Sequence, residues 1–371
     1  MKKTARLYIF GWPDLIGGAS TKLAHLLRLL HRRFPIVLVP NEATELDDPV
    51  WTTILRASGV QSSAYEDLPQ QLQGWGLSLC NFDFLMSPRW AEVRRRGLKM
   101  AWSNEMMWTH PKELGVIFTG LVDQVLYVSP VQREALEPHF RMLWTGSLRA
   151  TKSAEGSTGV IQNDGSRALR WSITGNYIDP ALFPVKELRR KRDDEPLVIG
   201  RLSRPDPAKF PNDFPVFYEQ LGVRRARFRV MAWSDELSRQ WSEHSFDDRW
   251  DLLPALQEEP ATFLRSVDLF VYSLREDLRE SWGRSVVEAM LSGVVPILPD
   301  SSEHHLRNLV IHGESGFLCG TPEEFGYYAR LLDNDRDLLL KCAVQARAHA
   351  ATRLCDAAEH IGYWEAAFPE L

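Results

Sequence analysis

Short apolar runs alternate with amphipathic segments along most of this 371-residue chain. Their length and continuous apolar character are typical of strands buried on both faces of a parallel sheet. Such runs occupy residues 6–10, 36–39, 98–102, 228–232, 250–253, 269–272 and 294–298. Apolar residues recur at helical spacing between them, as in 23–30 and 284–291. The alternation predicts an α/β fold with helices on both faces of parallel sheets.

The length of the chain exceeds that of one ordinary hydrophobic core and therefore predicts two domains. We expect a first domain over residues 1–185, a charged linker over 186–196 and a second domain over 197–355. Residues 356–371 form a candidate helix for packing back on the first domain. A segment rich in Gly, Ser and Thr, residues 145–166, predicts a flexible loop or insertion.

The most informative segment is 268–298, which has the size and order of one strand–loop–helix–strand unit. Glu280 lies on the loop, and Glu288 lies two helical turns further on, close to the same helix face. The first turn of a helix has backbone N–H groups without intrahelical partners, and it favours anions. Here those groups belong to Trp282, Gly283, Arg284 and Ser285. The unit therefore offers amides for a phosphate and two carboxylates nearby.

The sequence from Glu280 to Pro296 resembles the E-x7-E element of retaining family 4 glycosyltransferases, the glycosyl transferases group 1. It runs Glu280-Ser-Trp-Gly-Arg-Ser-Val-Val-Glu288, followed by Ala-Met-Leu-Ser-Gly293-Val-Val-Pro296. The resemblance is strong over 197–320 and weaker over 1–185. It implies the GT-B fold, in which two Rossmann-like doubly wound domains face an interdomain cleft. The implied activity is retaining transfer of a hexosyl-type sugar from a UDP- or GDP-linked donor to a hydroxyl acceptor.

The resemblance also implies roles for the residues that match the motifs. Glu280 would hold sugar hydroxyls near the reacting carbon without acting as a nucleophile, and Glu288 would accept hydrogen bonds from the ribose. Arg201 and Lys209 match the cations that grip the donor diphosphate. Their spacing is longer than in the family, so Arg204 is a rival for the second cation.

Further matches extend the expected site. Gly17 and Gly18 stand at a strand–helix junction, like the family's glycine-rich loop that faces the donor phosphate. Leu253 lies in the loop where family members bind the base. On the acceptor side, many members have a histidine where this chain has Asn104 and Glu105.

We expect neither a metal nor another cofactor, because the resemblance implies that amides and cations replace a divalent ion. The cysteines are far apart and form no metal-type spacing, so we interpret them as reduced thiols. They are Cys80, Cys319, Cys342 and Cys355. The adjacent His304 and His305 are interpreted as part of a polar loop.

The net charge of −5 conceals a basic first half. Residues 1–180 hold 20 Lys and Arg against 17 Asp and Glu, whereas residues 181–371 hold 24 against 32. The basic residues cluster as Arg28, His31, Arg32, Arg33, Arg89, Arg94, Arg95, Arg96 and Lys99. The cluster suits peripheral contact with a membrane or an anionic acceptor, but a solvated helix face is the favoured interpretation.

The expected partners are a nucleotide sugar and a hydroxyl acceptor, which could be a glycan, a lipid-linked molecule or another compound. The acidic overall charge argues against general nucleic-acid binding. Three alternatives stay open: a GT-B epimerase, a non-catalytic GT-B-like module that binds a glycan or nucleic acid, and a transferase acting on modified DNA bases. No apolar run approaches the length of a membrane span, so a cytoplasmic location is expected.

Overall fold

A computed structural model describes residues 5–11, 18–145, 156–162 and 168–371. The chain divides into two compact units, one formed by Met1–Tyr177 with Ala357–Leu371 and the other by Ile178–Asp356. The first stretch of the first unit thus ends at Tyr177, earlier than the predicted limit at residue 185. The segment predicted as a linker, 186–196, lies within the second unit.

The first unit is built on one eight-stranded sheet in its described part. The strands are β1 (Arg6–Phe10), β2 (Ile36–Val39), β3 (Gln61–Ser62), β4 (Gly74–Leu79), β5 (Leu98–Ser103), β6 (Gln124–Tyr127), β7 (Thr158–Gln162) and β8 (Ala168–Ile173). The helices that precede the second unit are α1 (Gly18–Leu30), α2 (Pro49–Ser58), α3 (Phe82–Met86), α4 (Pro88–Arg95), α5 (Pro111–Phe118) and α6 (Pro130–Thr145). The last helix of the chain completes this unit.

Strand β7 corrects the loop prediction for residues 145–166. Residues 146–155 and 163–166 lie outside the described ranges, but Thr158–Gln162 pair antiparallel with β8 at the edge of the sheet. Gly159, which suggested a loop, lies against the ring of Trp171: a Cβ there would be 2.5 Å from the ring atoms. The glycine therefore provides room for an aromatic side chain on the neighbouring strand.

The second unit is built on a six-stranded sheet. Its strands are β9 (Leu197–Leu202), β10 (Ala226–Met231), β11 (Trp250–Leu253), β12 (Leu269–Val271), β13 (Val295–Pro299) and β14 (Phe317–Cys319). Its helices are α7 (Phe214–Glu219), α8 (Asp235–Gln240), α9 (Pro260–Arg265), α10 (Arg284–Leu291), α11 (Pro322–Asn334) and α12 (Arg336–His349). Helix α13 (Ala357–Ala367) then returns to the first unit.

The amphipathic pattern over 322–340 and 342–354 predicts two helices that meet near residue 341, whereas the structure places the boundary between α11 and α12 at Asp335. The break lies at Asp335, whose carboxylate accepts a hydrogen bond from the N–H of Leu338 at 2.8 Å. This side chain caps the first turn of α12. Apolar residues recur at helical spacing on both sides of Asp335, so the sequence pattern does not indicate the break.

The strand order is the same in both units. The second sheet runs β11-β10-β9-β12-β13-β14, which is 3-2-1-4-5-6 in order of appearance. The first sheet begins with the same order and adds β8 and β7 beyond β6. All described neighbours are parallel except β7 and β8. This is the doubly wound Rossmann order, so the predicted α/β fold is confirmed, and ligands of such sheets bind where the order reverses. In the second unit that point lies between β9 and β12.

Gly200 allows β9 to pack closely against the segment that follows α9. A Cβ at this position would lie 2.5 Å from a methyl carbon of Val267, just after α9. Any side chain would therefore push the segment between α9 and β12 away from β9. The glycine keeps the two strands adjacent at the reversal point.

A buried carboxylate secures the start of the second unit. Asp268 accepts hydrogen bonds from the Nζ atoms of Lys186 (3.0 Å) and Lys191 (2.5 Å) and from the N–H of Val198 (3.0 Å). Burial alone would raise the pKa of the Asp268 carboxyl, but the two ammonium groups outweigh that effect and hold the pKa below its ordinary value. The charged segment 186–196 is thus tied to the sheet by its lysines.

We predict that Asp268→Asn lowers the free energy of unfolding by about 3 kcal/mol at pH 7, because two lysines lose their counter-charge. Since the folded state lowers the pKa of Asp268, its contribution is present at neutral pH. It is lost as the pH falls below about 4 and through the folded pKa. Urea unfolding at pH 7 and pH 3 measures both effects, and the difference between variant and wild type should shrink at pH 3.

Asp193→Asn is the matched control, because Asp193 forms an exposed ion pair with Arg190 at 3.0 Å in the same segment. Its unfolding midpoint should stay almost unchanged. An equal effect of both substitutions would contradict the anchoring role of Asp268.

Candidate active site

A fully buried arginine organises the strand ends at the reversal point of the second sheet. Arg201, near the end of β9, has no exposed surface. Its Nη1 donates to the carbonyl of Ser273 at 2.8 Å, and its Nη2 donates to the carbonyl of Lys209. The guanidinium carbon lies 4.7 Å from the ring centre of Phe210 and 4.6 Å from that of Tyr272. Arg201 therefore holds the loop after β9 next to the loop after β12.

The same loops bring a lysine and a glutamate into contact. The Nζ of Lys209 lies 2.7 Å from Oε2 of Glu280, and the hydroxyl of Tyr272 donates to the same oxygen at 3.1 Å. Burial would lower the pKa of Lys209, but Tyr272 and Glu280 raise it overall. Burial would raise the pKa of Glu280, but Lys209 and Tyr272 lower it overall. The pair is therefore fully ionised near neutral pH.

Arg204 lies at the edge of this pair. Its side chain is 42% exposed, and its guanidinium is 3.6 Å from the carboxylate of Asp206. Its charge contributes to the pKa values of both Lys209 and Glu280, so it belongs to the same electrostatic environment. The structure thus brings together all three predicted cations, with Arg201 buried, Lys209 paired and Arg204 exposed. Direct contact of Arg201 with a diphosphate stays a prediction.

Helix α10 begins beside Glu280 with a glycine in a left-handed conformation. Gly283 has φ +96° and ψ 52°, and a Cβ there would be 2.5 Å from a methyl carbon of Leu306. As the N-cap residue, Gly283 has no side chain with which to cap the helix. The carbonyl of Gly283 accepts from the N–H of Val286 at 3.1 Å, so the helix's own bonding starts there. The predicted donors at 282–285 precede that bond and belong to the first turn, where backbone N–H groups favour an anion.

Glu288 lies one turn into the helix and pairs with the side chain of Arg284. Oε1 of Glu288 is 3.3 Å from Nη2 of Arg284, and both side chains are largely buried. Burial raises the pKa of Glu288, and the lowering effect of Arg284 is smaller. The motif predicted a role only for the backbone of Arg284, although the i,i+4 spacing of opposite charges also indicates this pair.

A segment after β13, predicted as part of a polar loop, supports the loop that carries Glu280. The N–H of Glu280 donates to Nδ1 of His304 at 3.1 Å, and the N–H of His305 donates to the carbonyl of Glu280 at 3.1 Å. His304 is 7% exposed. No spacing rule links these histidines to a glutamate so far away in the sequence, so this contact could not be predicted.

Leu253, predicted to line the base site, ends β11. Its carbonyl accepts a hydrogen bond from the N–H of Trp233 at 2.8 Å, which fixes the loop after β10. Strand β11 is the outer neighbour of β10, while β10 lies next to β9. Leu253 thus lies at the same end of the sheet as the Lys209–Glu280 pair but two strands away from β9.

In the first unit, the predicted acceptor-side residues follow β5. Asn104 builds its own loop: its Nδ2 donates to the carbonyl of Trp108 at 2.6 Å, and its Oδ1 accepts from the N–H of Met106 at 2.8 Å. Glu105 binds the Nζ of Lys22 at 3.0 Å, and Lys22 is fully buried on α1. This ion pair joins residues 83 positions apart and was not predicted from the sequence.

The glycine pair predicted to face the donor phosphate is only partly described. Gly17 lies outside the described residues, and Gly18 is the first residue of α1. Lys22 lies four residues further along the same helix.

Most members of the basic cluster pair with carboxylates of the first unit. The pairs are Arg33–Glu365, Arg89–Glu66, Arg94–Asp123, Arg96–Glu92 and Lys99–Glu370. The positive charge of these side chains is therefore locally balanced. Peripheral membrane contact stays a prediction, and within the described ranges no helix has the length and apolarity needed to cross a membrane.

Among the residues that the structure describes, no group of three or more His, Cys, Asp or Glu side chains is arranged to hold a metal ion. None of the four cysteines, all of them in the described ranges, forms a disulfide: Cys80 is exposed, and Cys319, Cys342 and Cys355 are buried. The expected metal independence stays a prediction.

Comparisons with known proteins agree with this geometry. The structure of Anabaena HepE in complex with UDP and glucose matches at a TM-score of 0.70 and 15% identity, covering 99% of this chain and 100% of HepE. Sucrose-phosphate synthase from Thermosynechococcus elongatus matches at 0.66 and 12% identity, covering 99% and 100%. Trehalose-6-phosphate synthase OtsA matches at 0.65 and 12% identity, covering 99% of each chain.

No curated protein matches the sequence. Residues 197–334, which lie within the second unit, match the family model of the glycosyl transferases group 1. These residues include Arg201, Lys209, Glu280 and Glu288. The chain therefore has the GT-B fold, and the part of its second unit from 197 to 334 is similar to the glycosyl transferases group 1.

Proposed function

We propose that the protein is a retaining glycosyltransferase of family 4 that moves a hexosyl-type sugar from a nucleotide-diphosphate sugar to a hydroxyl acceptor. The observation that carries the proposal is the ionised Lys209–Glu280 pair, 2.7 Å apart, at the reversal point of the second sheet and beside the start of α10. A UDP-linked donor is the first candidate because the similar HepE structures contain UDP or UDP-glucose. A GDP-linked donor is the second.

The diphosphate would bind at the first turn of α10. Backbone amides and the helix dipole favour an anion there, and Lys209 supplies a full positive charge nearby. Negative charge grows on the diphosphate as the sugar leaves. Fixed donors and cations therefore stabilise the transition state more than the bound substrate. In this proposal they take the place of a divalent metal.

Glu280 would hold hydroxyl groups of the transferred sugar. Its lowered pKa keeps the carboxylate ionised, so it accepts hydrogen bonds and does not donate a proton. Tyr272 and Lys209 both contact Oε2 and thereby fix its orientation. Arg201 would act through these residues, since its buried guanidinium holds the carbonyls of Lys209 and Ser273.

Glu288 would accept hydrogen bonds from the ribose hydroxyls, a role that carboxylates play in other Rossmann-type sites. Burial raises the pKa of the Glu288 carboxyl, and Arg284 partly offsets this. Hydroxyl donors from a bound ribose would favour the ionised form. Nucleotide binding and ionisation of Glu288 would thus support each other.

The first unit would contribute the acceptor site, with the Asn104–Trp108 loop and Glu105 as the candidate elements, and Gly17 and Gly18 would approach the donor phosphate. The acceptor would be a glycan, a lipid-linked molecule or another hydroxyl compound. A cytoplasmic location is part of the proposal, since sugar nucleotides are the substrates. Retention of configuration would be read by NMR from the anomer of the first transfer product.

The first prediction of this proposal is selective nucleotide binding without metal. In a thermal-shift screen of UDP, GDP, ADP and dTDP and their glucose or mannose conjugates, UDP or GDP should raise the melting temperature. A nucleotide at 100 times its Kd should stabilise by about 2.7 kcal/mol. EDTA should leave the shift unchanged. Loss of the shift with EDTA would contradict metal independence, and no shift with any nucleotide would favour a non-catalytic binding module.

We further predict that Glu288→Gln weakens binding of that nucleotide by about 1–3 kcal/mol, because one charge-assisted hydrogen-bond partner of the ribose is lost. Isothermal titration calorimetry of both proteins measures the change. Glu314→Gln, an exposed glutamate of the same unit, is the control and should bind as wild type does. The ribose role is wrong if the two variants have equal affinity.

Lys209→Gln should reduce the rate of UDP release from UDP-glucose, or of GDP release from a GDP-sugar, by about 10²-fold, the usual cost of removing one transition-state donor. Because Glu280 then stays buried without its cation, the double variant Lys209→Gln/Glu280→Gln should recover stability but not turnover. The exposed Lys341→Gln is the control for loss of charge. A kcat within twofold of wild type would exclude the role of Lys209.

A further inference from the structure

Adjacent histidines hold both backbone polar groups of Glu280. The N–H of Glu280 donates to Nδ1 of His304 at 3.1 Å. Its carbonyl accepts from the N–H of His305 at 3.1 Å. The peptide groups on either side of the Cα atom of Glu280 are thus fixed to one short segment after β13.

The segment that carries His304 and His305 also packs against the residues that begin α10. Leu306 is fully buried, and its methyl group would be 2.5 Å from a Cβ at Gly283. The ring of Trp282 stacks on that of His305, with 6.4 Å between centroids and 20° between planes. The start of α10 and the Glu280 loop therefore share one support.

We propose that His304, as a neutral imidazole, is a positioning residue that sets the direction of the Glu280 carboxylate in the active enzyme. The inference deepens the proposed function and rests on it where it concerns turnover. His304 holds the backbone from which the carboxylate projects, while Lys209 and Tyr272 fix the other end at Oε2. A side chain held at both ends keeps one rotamer, which is what a transition-state contact needs.

The contact depends on the protonation state of His304. Nδ1 accepts a hydrogen bond, so the single proton of the neutral ring lies on Nε2. In the imidazolium, Nδ1–H would face the N–H of Glu280, and two donors would meet. Burial chiefly lowers the pKa of His304; Arg279 and Lys209 lower it further, while Glu280 and Glu303 raise it. The net lowering keeps the ring neutral near pH 7 and places the loss of the contact at acidic pH.

Two substitutions separate the effect of the hydrogen bond to Glu280 from the effect of protonating His304. In His304→Asn the amide oxygen lies at a position close to that of Nδ1 and accepts the hydrogen bond without titrating. In His304→Ala the acceptor is lost at every pH. The measurement is hydrogen exchange of a peptide that covers 280–283, followed by mass spectrometry and expressed as protection relative to the intrinsic rate at each pH.

Wild-type protein should show protection of this peptide at pH 8 that falls at least tenfold by pH 5. His304→Asn should keep its protection between those values, and His304→Ala should lack it throughout. His312→Ala is the matched control: Nδ1 of His312 also accepts from a backbone N–H, that of Leu318, at 3.1 Å, but on β14. It should leave the 280–283 peptide as in wild type.

Turnover provides the second readout, with UDP release from UDP-glucose, or the corresponding GDP-sugar, as the probe. His304→Ala should lower kcat about tenfold or more and leave the Kd of the nucleotide within twofold. His304→Asn should restore most of kcat at pH 8 and show a weaker fall of kcat between pH 7 and pH 5 than wild type. A merely structural role would not produce that change of the pH profile.

The proposal is overturned if His304→Ala retains full kcat and protection, or if His304→Asn follows the wild-type pH profile. If His304→Ala does not fold, the comparison of His304→Asn with wild type decides alone. If no sugar nucleotide binds or reacts, the proposed function fails, while the exchange experiment still decides whether His304 holds the Glu280 loop.

Discussion

A buried guanidinium is the interaction on which the candidate site depends. Arg201 carries a full charge into the second unit and is compensated there by two backbone carbonyls and two aromatic faces. Burying such a group without partners would cost several kcal/mol, so the loops that provide the carbonyls have one favourable arrangement. That arrangement places Lys209 and Tyr272 on the same oxygen of Glu280. The ionised side chains of Lys209 and Glu280 are thus held in place by loops that the buried charge of Arg201 joins.

The fold and the main motif were accessible from the sequence because they depend on local signals. Strand runs such as Leu269–Val271 are short, apolar and separated by helices, and parallel pairing with right-handed crossovers leaves few topologies. The glycine at 283 and the glutamates at 280 and 288 lie on one continuous strand–loop–helix unit. Local periodicity did not predict the break between α11 and α12, where Asp335 caps a helix. It also did not predict strand β7, where Gly159 makes room for the ring of Trp171.

The partners of the site residues were not accessible in the same way. Lys209 meets Glu280 across 71 residues, and Lys22 meets Glu105 across 83, and nothing in the spacing of either pair indicates the contact. The burial of Arg201 could not be predicted from the sequence either. The sequence places Arg201 at a strand end, where arginine is commonly exposed, and only the packing of Phe210 and Tyr272 shows that it is not. Residue type and motif therefore predicted which residues belong to the site, and the tertiary structure determined how they are held.

The last helix carries a consequence for the order in which the protein is made. Trp364 and Phe368 are buried in the core of the first unit, and the ring of Phe368 lies 5.2 Å from that of Trp75. A ribosome therefore releases the sheet of this unit long before the side chains that complete its core. The second unit is one continuous segment and can close while synthesis continues. Domains usually finish folding from the N-terminus onward; in this chain the unit that begins first is completed last.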